Sequence, residues 1–150
     1  MATFFSYFVI AGTVASLGFI NPGTDTSEKV LEAFNKGFND AKNVTWFSGN
    51  NEYTAVFVQN GIRTNITYDK DGHFLTSRRY YYEDRLPLNL VMRIKEKYKG
   101  KTIKNVTEVI QDDSITYSIL LEDEQDGYVV ESSSNTNLRV QTRFKKQPTP

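Results

Sequence analysis

The sequence predicts an α+β fold in which two helices pack on one face of an antiparallel sheet of about eight strands. Three observations point there. The tetrapeptide Lys42-Asn43-Val44-Thr45 recurs as Lys104-Asn105-Val106-Thr107. Each copy follows a run with apolar residues three and four apart, the period of an amphipathic helix. Each copy also opens runs in which apolar and polar residues alternate, the period of a strand with one covered face. The chain therefore reads as a domain over residues 25–145 made of two helix-plus-four-strand repeats, 25–84 and 85–145, before a disordered tail at 146–150.

Residues 1–24 carry no charged side chain, and Phe4 to Ile20 is almost wholly apolar or small. This is the pattern of a signal peptide, with a retained N-terminal anchor as the other reading, and it predicts export to the periplasm or medium. A membrane contact is expected only if that segment is retained. Asn21-Pro22-Gly23-Thr24-Asp25-Thr26 then breaks the chain as a linker.

Asp25 and Glu28 have the spacing of a capping box for the first helix. Val30, Phe34, Phe38 and Ala41 share one face of it, and Gly37 suggests a close approach to the sheet. Strands are expected from Val44 to Phe47, Tyr53 to Val58, Ile62 to Tyr68 and Phe74 to Tyr82. Asn60-Gly61 is a two-residue hairpin turn. In the third strand Ile62, Thr64, Ile66 and Tyr68 take one face, and Arg63, Asn65 and Thr67 the other. Pro87 suits the first turn of a second helix with Leu90, Val91, Ile94 and Tyr98 inward, and Gly100 suits its C-cap. The remaining strands are expected at Val106–Gln111, Ile115–Leu121, Tyr128–Glu131 and Leu138–Phe144, with a polar turn over Ser132–Asn135.

Composition narrows the function. Lys+Arg 18 balances Asp+Glu 18, so no net field draws in nucleic acid, and none is expected as a partner. With no cysteine, disulfides, thiolate zinc sites and thiol nucleophiles are excluded. His73 is the single histidine and reads as a solvated turn residue. Asp69-Lys70-Asp71-Gly72 begins like a calcium loop but lacks the closing glutamate, so it reads as a hairpin turn. Glu122, Asp123, Glu124 and Asp126 place four carboxylates in five positions, at a loop tip. In Arg78-Arg79-Tyr80-Tyr81-Tyr82, Tyr80 and Tyr82 alternate with Arg79 and Tyr81, and an outward Arg79–Tyr81 pair would resemble a protein-binding hot spot. Trp46 reads as a half-buried core ring. The Asn-x-Thr sequons at Asn43, Asn65 and Asn105 would accept glycans only in a eukaryotic secretory protein.

Val30-x3-Phe34-x3-Phe38, Asn43-Val44-Thr45-Trp46, and Leu86-Pro87 opening a helix that ends Tyr98-Lys99-Gly100 together resemble the beta-lactamase-inhibitor-like, PepSY-like proteins, exported proteins of Bacteroidetes. The resemblance covers roughly residues 25–145 and implies the tandem repeat and its fold, but no chemistry. No inhibitory loop maps onto this chain, and the missing cysteines depart from the disulfide-bearing inhibitor. The expected function is thus a non-enzymatic binding or inhibitory module without cofactor. It would engage a protein or envelope component through the open sheet face, with Arg79 and Tyr81, and through the hairpin tips at Gln59–Asn60 and Glu122–Asp126. The alternative is a small-ligand or ion carrier of the envelope.

Overall fold

A computed structural model of the chain describes residues 26–133 and 137–146. The signal segment, the Asp25 cap, Ser134 and Asn135 of the last turn, and residues 147–150 of the tail lie outside them. The elements run α1 Glu28–Phe38, β1 Thr45–Gly49, β2 Glu52–Gln59, β3 Ile62–Asp69, β4 Phe74–Tyr81, a 3-10 turn Glu83–Arg85, α2 Leu88–Lys97, β5 Thr102–Gln111, β6 Ser114–Glu122, β7 Asp126–Ser133 and β8 Asn137–Lys145. All eight strands join one antiparallel sheet in sequence order, a simple meander. Both helices lie on the same face of it, because the inward side chains of each strand and the apolar stripe of each helix fall in shared clusters.

Three of the hairpins turn through two residues with positive φ: Asn50-Asn51, Asn60-Gly61 and Asp112-Asp113. That is the type I′ geometry whose twist matches the strands, and Asn, Asp and Gly tolerate it best. The β3–β4 turn is organised differently. The Asp69 carboxylate accepts the backbone N–H of Asp71 at 2.8 Å and of His73 at 2.9 Å, and lies 2.8 Å from His73 Nδ1. Its pKa is lowered, chiefly by that His73 contact.

The apolar residues form two separate clusters. Under α1, Val30 and Phe34 pack with Ala55, Phe57, Ile66 and Tyr68. Phe34 centres a knot of rings, 5.2 Å from Trp46, 5.4 Å from Phe57 and 5.4 Å from Phe38. Edge-to-face and offset contacts of this kind add about 0.5–1.5 kcal/mol each beyond burial. Trp46 is half-buried there, as expected. Under α2, Leu90, Val91 and Ile94 pack with Ile103, Val106, Ile119, Leu121 and Val130. Each fully buried aliphatic chain contributes about 1.5–3 kcal/mol.

Several expectations are corrected. Ser27, and not Asp25, occupies the N-cap position of α1, and it makes no side-chain cap bond. Gly37 is exposed with nothing near its missing Cβ; the close approach is at Gly72, where a Cβ would meet the Lys29 carbonyl oxygen at 2.7 Å. Gly100 (φ +80°) does not cap α2 either. It sits past the C-cap residue Tyr98, in a turn closed by the Lys101 N–H donating to the Tyr98 carbonyl at 3.1 Å. β5 begins at Thr102, four residues early, because a register shift between Ile103 and Asn105 puts both Ile103 and Val106 inward and breaks the alternation. β7 is longer than expected because its inward ends are polar, Asp126 and Ser132.

Two measurements check this packing. Gly72→Ala should lower unfolding free energy by about 1–3 kcal/mol, from positive φ and the clash with α1, whereas Gly37→Ala should raise it by about 0.5–1. Urea denaturation of the two variants reads both. The second concerns Asp71, whose carboxylate binds Lys29 of α1 at 2.8 Å and is held at a pKa of about 2, first by Lys29 and then by Lys70. A carboxylate lowered in the folded state stabilises it above the ordinary value of about 4 and stops doing so as pH falls through the folded value. Melting temperature should therefore fall between about pH 4 and pH 2 less steeply in Asp71→Asn than in the parent.

Candidate binding surfaces

Directly paired residues of neighbouring strands share a face, so the ladders define rows across the sheet. One row on the open face runs Val58, Arg63, Tyr80, Thr107, Ser118, Glu131, Arg139. The next includes Val56, Asn65, Arg78, Val109 and Thr116. A third carries Thr54, Thr67 and Thr76, with the Thr54 and Thr67 hydroxyls 2.9 Å apart. No helix or strand among the described residues covers this face, and most of its side chains on β2–β7 are half-buried by one another. Threonine, valine and tyrosine are residues that suit a pleated, half-buried surface.

Arg79 and Tyr81 are not on it. The structure places them on the helix face, where Tyr81 is 4% exposed and belongs to the core under α2. The alternation was right, but the face of β4 that turns inward is the one carrying Ser77, Arg79 and Tyr81. They converge on Glu108, itself 7% exposed: Arg79 Nη1 donates to Oε1 at 2.9 Å and the Tyr81 hydroxyl donates to Oε2 at 2.7 Å. The guanidinium also lies 5.6 Å from the Tyr81 ring centre. Burial and the Glu108 bond push the Tyr81 phenol well above its ordinary pKa. With Thr64 and Ser77, Glu108 forms a buried polar strip between the two apolar clusters, and the partly exposed Arg79 closes it. Glu108 escaped the sequence reading because a lone glutamate at an inward strand position looks like an error of period until its partners are known.

The hairpin tips Gln59–Asn60 and Glu122–Asp126 do fall at the same end of the sheet, since alternate turns of a meander share an end. Four strand spacings, roughly 19 Å, separate them. Gln59 Nε2 donates to Asp40 at 2.8 Å, tying its tip to the end of α1, and Asn60 is exposed. In the acidic loop the carboxylates are mostly neutralised. Glu122 pairs with Lys146 at 3.2 Å, Asp126 with Lys145 at 2.9 Å and Arg143 at 3.3 Å, and Asp123 with Lys101. Asp123 also accepts the backbone N–H of Gln125 and Asp126, and with the lysine this holds its pKa far below the usual carboxylate range. Lys101 stacks 4.1 Å from the Tyr128 ring centre. Glu124 stays exposed beside a shallow depression of about 630 Å³ lined by both lysines and acids, Lys104 and Lys146 among them. Among the described residues no cluster of three or more carboxylates or His could hold a metal ion, and no helix is long and apolar enough to cross a membrane. His73 is exposed and bonded to its own turn.

No protein-family model and no curated protein matches the chain. Its fold is shared with solved proteins of Bacteroides. A DUF2874 family protein of Bacteroides ovatus superposes with a TM-score of 0.62 at 20% identity, over 81% of this chain and 89% of that one. A BLIP-like protein of Bacteroides fragilis gives 0.62 at 15%, over 89% and 92%. A protein of Bacteroides eggerthii, provisionally described as periplasmic, gives 0.61 at 18%, over 81% and 90%. At these identities the likeness is one of fold.

The polar strip generates a stability prediction. Arg79→Met should leave Glu108 buried with only Tyr81 as donor and destabilise by about 2–3 kcal/mol, while adding Glu108→Gln should recover a good part of that. A double-mutant cycle in urea measures the coupling.

Proposed function

We propose that the protein is an exported, non-enzymatic binding or inhibitory module of the beta-lactamase-inhibitor-like, PepSY-like kind. In this reading the chain is a duplicated helix-plus-four-strand unit, and it engages a protein or envelope partner across the open face of its sheet. The observation that carries the reading is the asymmetry of the sheet. Both helices and both apolar clusters lie on one side, and the other presents Val56, Tyr80, Val109, Leu120 and Val129 among threonines and serines with nothing over them among the described residues.

Size and stiffness support it. Seven strand spacings of about 4.8 Å and a usable strand length of roughly 20 Å give a face of roughly 700 Å², close to the roughly 800 Å² per partner of a standard interface. A surface already fixed by cross-strand bonds loses little freedom on docking. Export is supported by the uncharged apolar run at residues 4–20 and by the provisionally periplasmic structural neighbour. The carrier alternative draws on the depression beside Glu122–Gln125, where lysines hold the Glu122 and Asp123 carboxylates.

A photo-crosslinking residue at Val109, introduced in the full chain in its native host, should join to one dominant protein species, while the same residue at Asn35 on the outer side of α1 should not. Equal products at both positions, or none at Val109, would contradict the open-face reading.

A further inference from the structure

The arginines of the chain differ in whether a carboxylate meets them. Arg79, Arg85 and Arg143 each contact a carboxylate. Arg63, Arg78 and Arg139 pair with none among the described residues, and all three belong to open-face rows of the ladder. Arg63 stands directly opposite Tyr80, and Arg78 lies two residues before Tyr80 on the same side of β4. The two guanidinium groups therefore rise from backbone positions roughly 5–7 Å from the tyrosine, one across the ladder on β3 and one along β4. Their neighbours are neutral: Val56, Asn65, Thr107 and Val109. Glu131, in the same row, stands three strands from Tyr80, roughly 14 Å away.

Arginine and tyrosine side by side are the residues most enriched in interface hot spots. The planar guanidinium fork also matches a carboxylate in a way that lysine does not. We propose that the partner of the open face presents an acidic protein segment, its carboxylates seated on Arg63 across the ladder from Tyr80 and on Arg78 next to it along β4. This rests on the open-face reading above and names the chemistry of what docks there. A nucleic acid fits less well. Lys+Arg and Asp+Glu balance at 18 each, and Glu131 would face the phosphates of a strand lying along the row.

Fluorescence anisotropy on the full chain tests it. The probes are a short labelled peptide of alternating Glu and Thr, its Lys–Thr counterpart, a single-stranded oligonucleotide, and vesicles of anionic phospholipid. The Glu–Thr peptide should bind saturably and more weakly as salt rises, and the Lys–Thr peptide should not bind. Arg63→Gln with Arg78→Gln should weaken that binding by about tenfold or more, and Arg85→Gln should leave it unchanged. Circular dichroism of the variants establishes that they are folded. Equal binding of the Glu–Thr peptide by parent and double variant would overturn the proposal, as would its failure to bind. Tighter binding of the oligonucleotide or the vesicles through the same arginines would overturn it in favour of a polyanion or lipid. If crosslinking at Val109 persists in the double variant and ignores salt, the open face is a docking surface but not for acidic chemistry. If the parent gives no crosslink there, the underlying reading fails instead.

Discussion

Two helices cannot roof eight strands. A helix with its side chains is about 10 Å wide, and seven strand spacings span roughly 34 Å, so some of the inward face must go without an apolar lid. The chain meets that constraint by dividing its core. One cluster gathers under α1 and the other under α2. The strip between them is polar and internally satisfied, with Arg79 and Tyr81 both donating to Glu108. A charged pair adds less stability than apolar packing would, but it fills a position that no helix covers. The cross-strand pairs of β4 and β5 run straight through this strip, which makes one continuous sheet out of what could have been two.

Much of the fold was legible because period and turn chemistry agree along most of the chain. The stripe Val30, Phe34 and Leu90, Ile94 lies inward as helical spacing requires, and Asn60-Gly61 turns as its φ preferences dictate. The misreadings of the strands share one cause, a polar residue or an extra residue at an inward position. The shift between Ile103 and Asn105 hid the start of β5, and Asp126 and Ser132 hid the ends of β7. For β4 the sequence offered two faces of nearly equal polarity, Arg78–Tyr80 and Arg79–Tyr81. Only the identity of the neighbour across the ladder, Glu108, decides which of them turns inward, and that is a tertiary fact. Local pattern separates the faces of a strand but does not say which one the helices will take.

The candidate site was correspondingly half-legible. Arg63, Asn65 and Thr67 were readable as one outward set, and they do lie on the open face. The acidic tip was readable as a cluster of charge, but its lysine and arginine partners come from Lys101 and from residues 143–146, far off in sequence. Once paired, that tip is a braced corner of the sheet. Among the described residues Arg63, Arg78 and Arg139 have no carboxylate partner, and all three stand on the open face.

The account depends most on which face is open, and adjacent tyrosines report on it. Hydroxyl-radical footprinting of the folded protein, read residue by residue by mass spectrometry, should label Tyr80 while sparing Tyr81 and Tyr117, which are each 4% exposed on the helix side. Labelling of Tyr81 at the rate of Tyr80, or protection of Tyr80 together with Val109 and Leu120, would contradict the division of the sheet into a covered face and a free one.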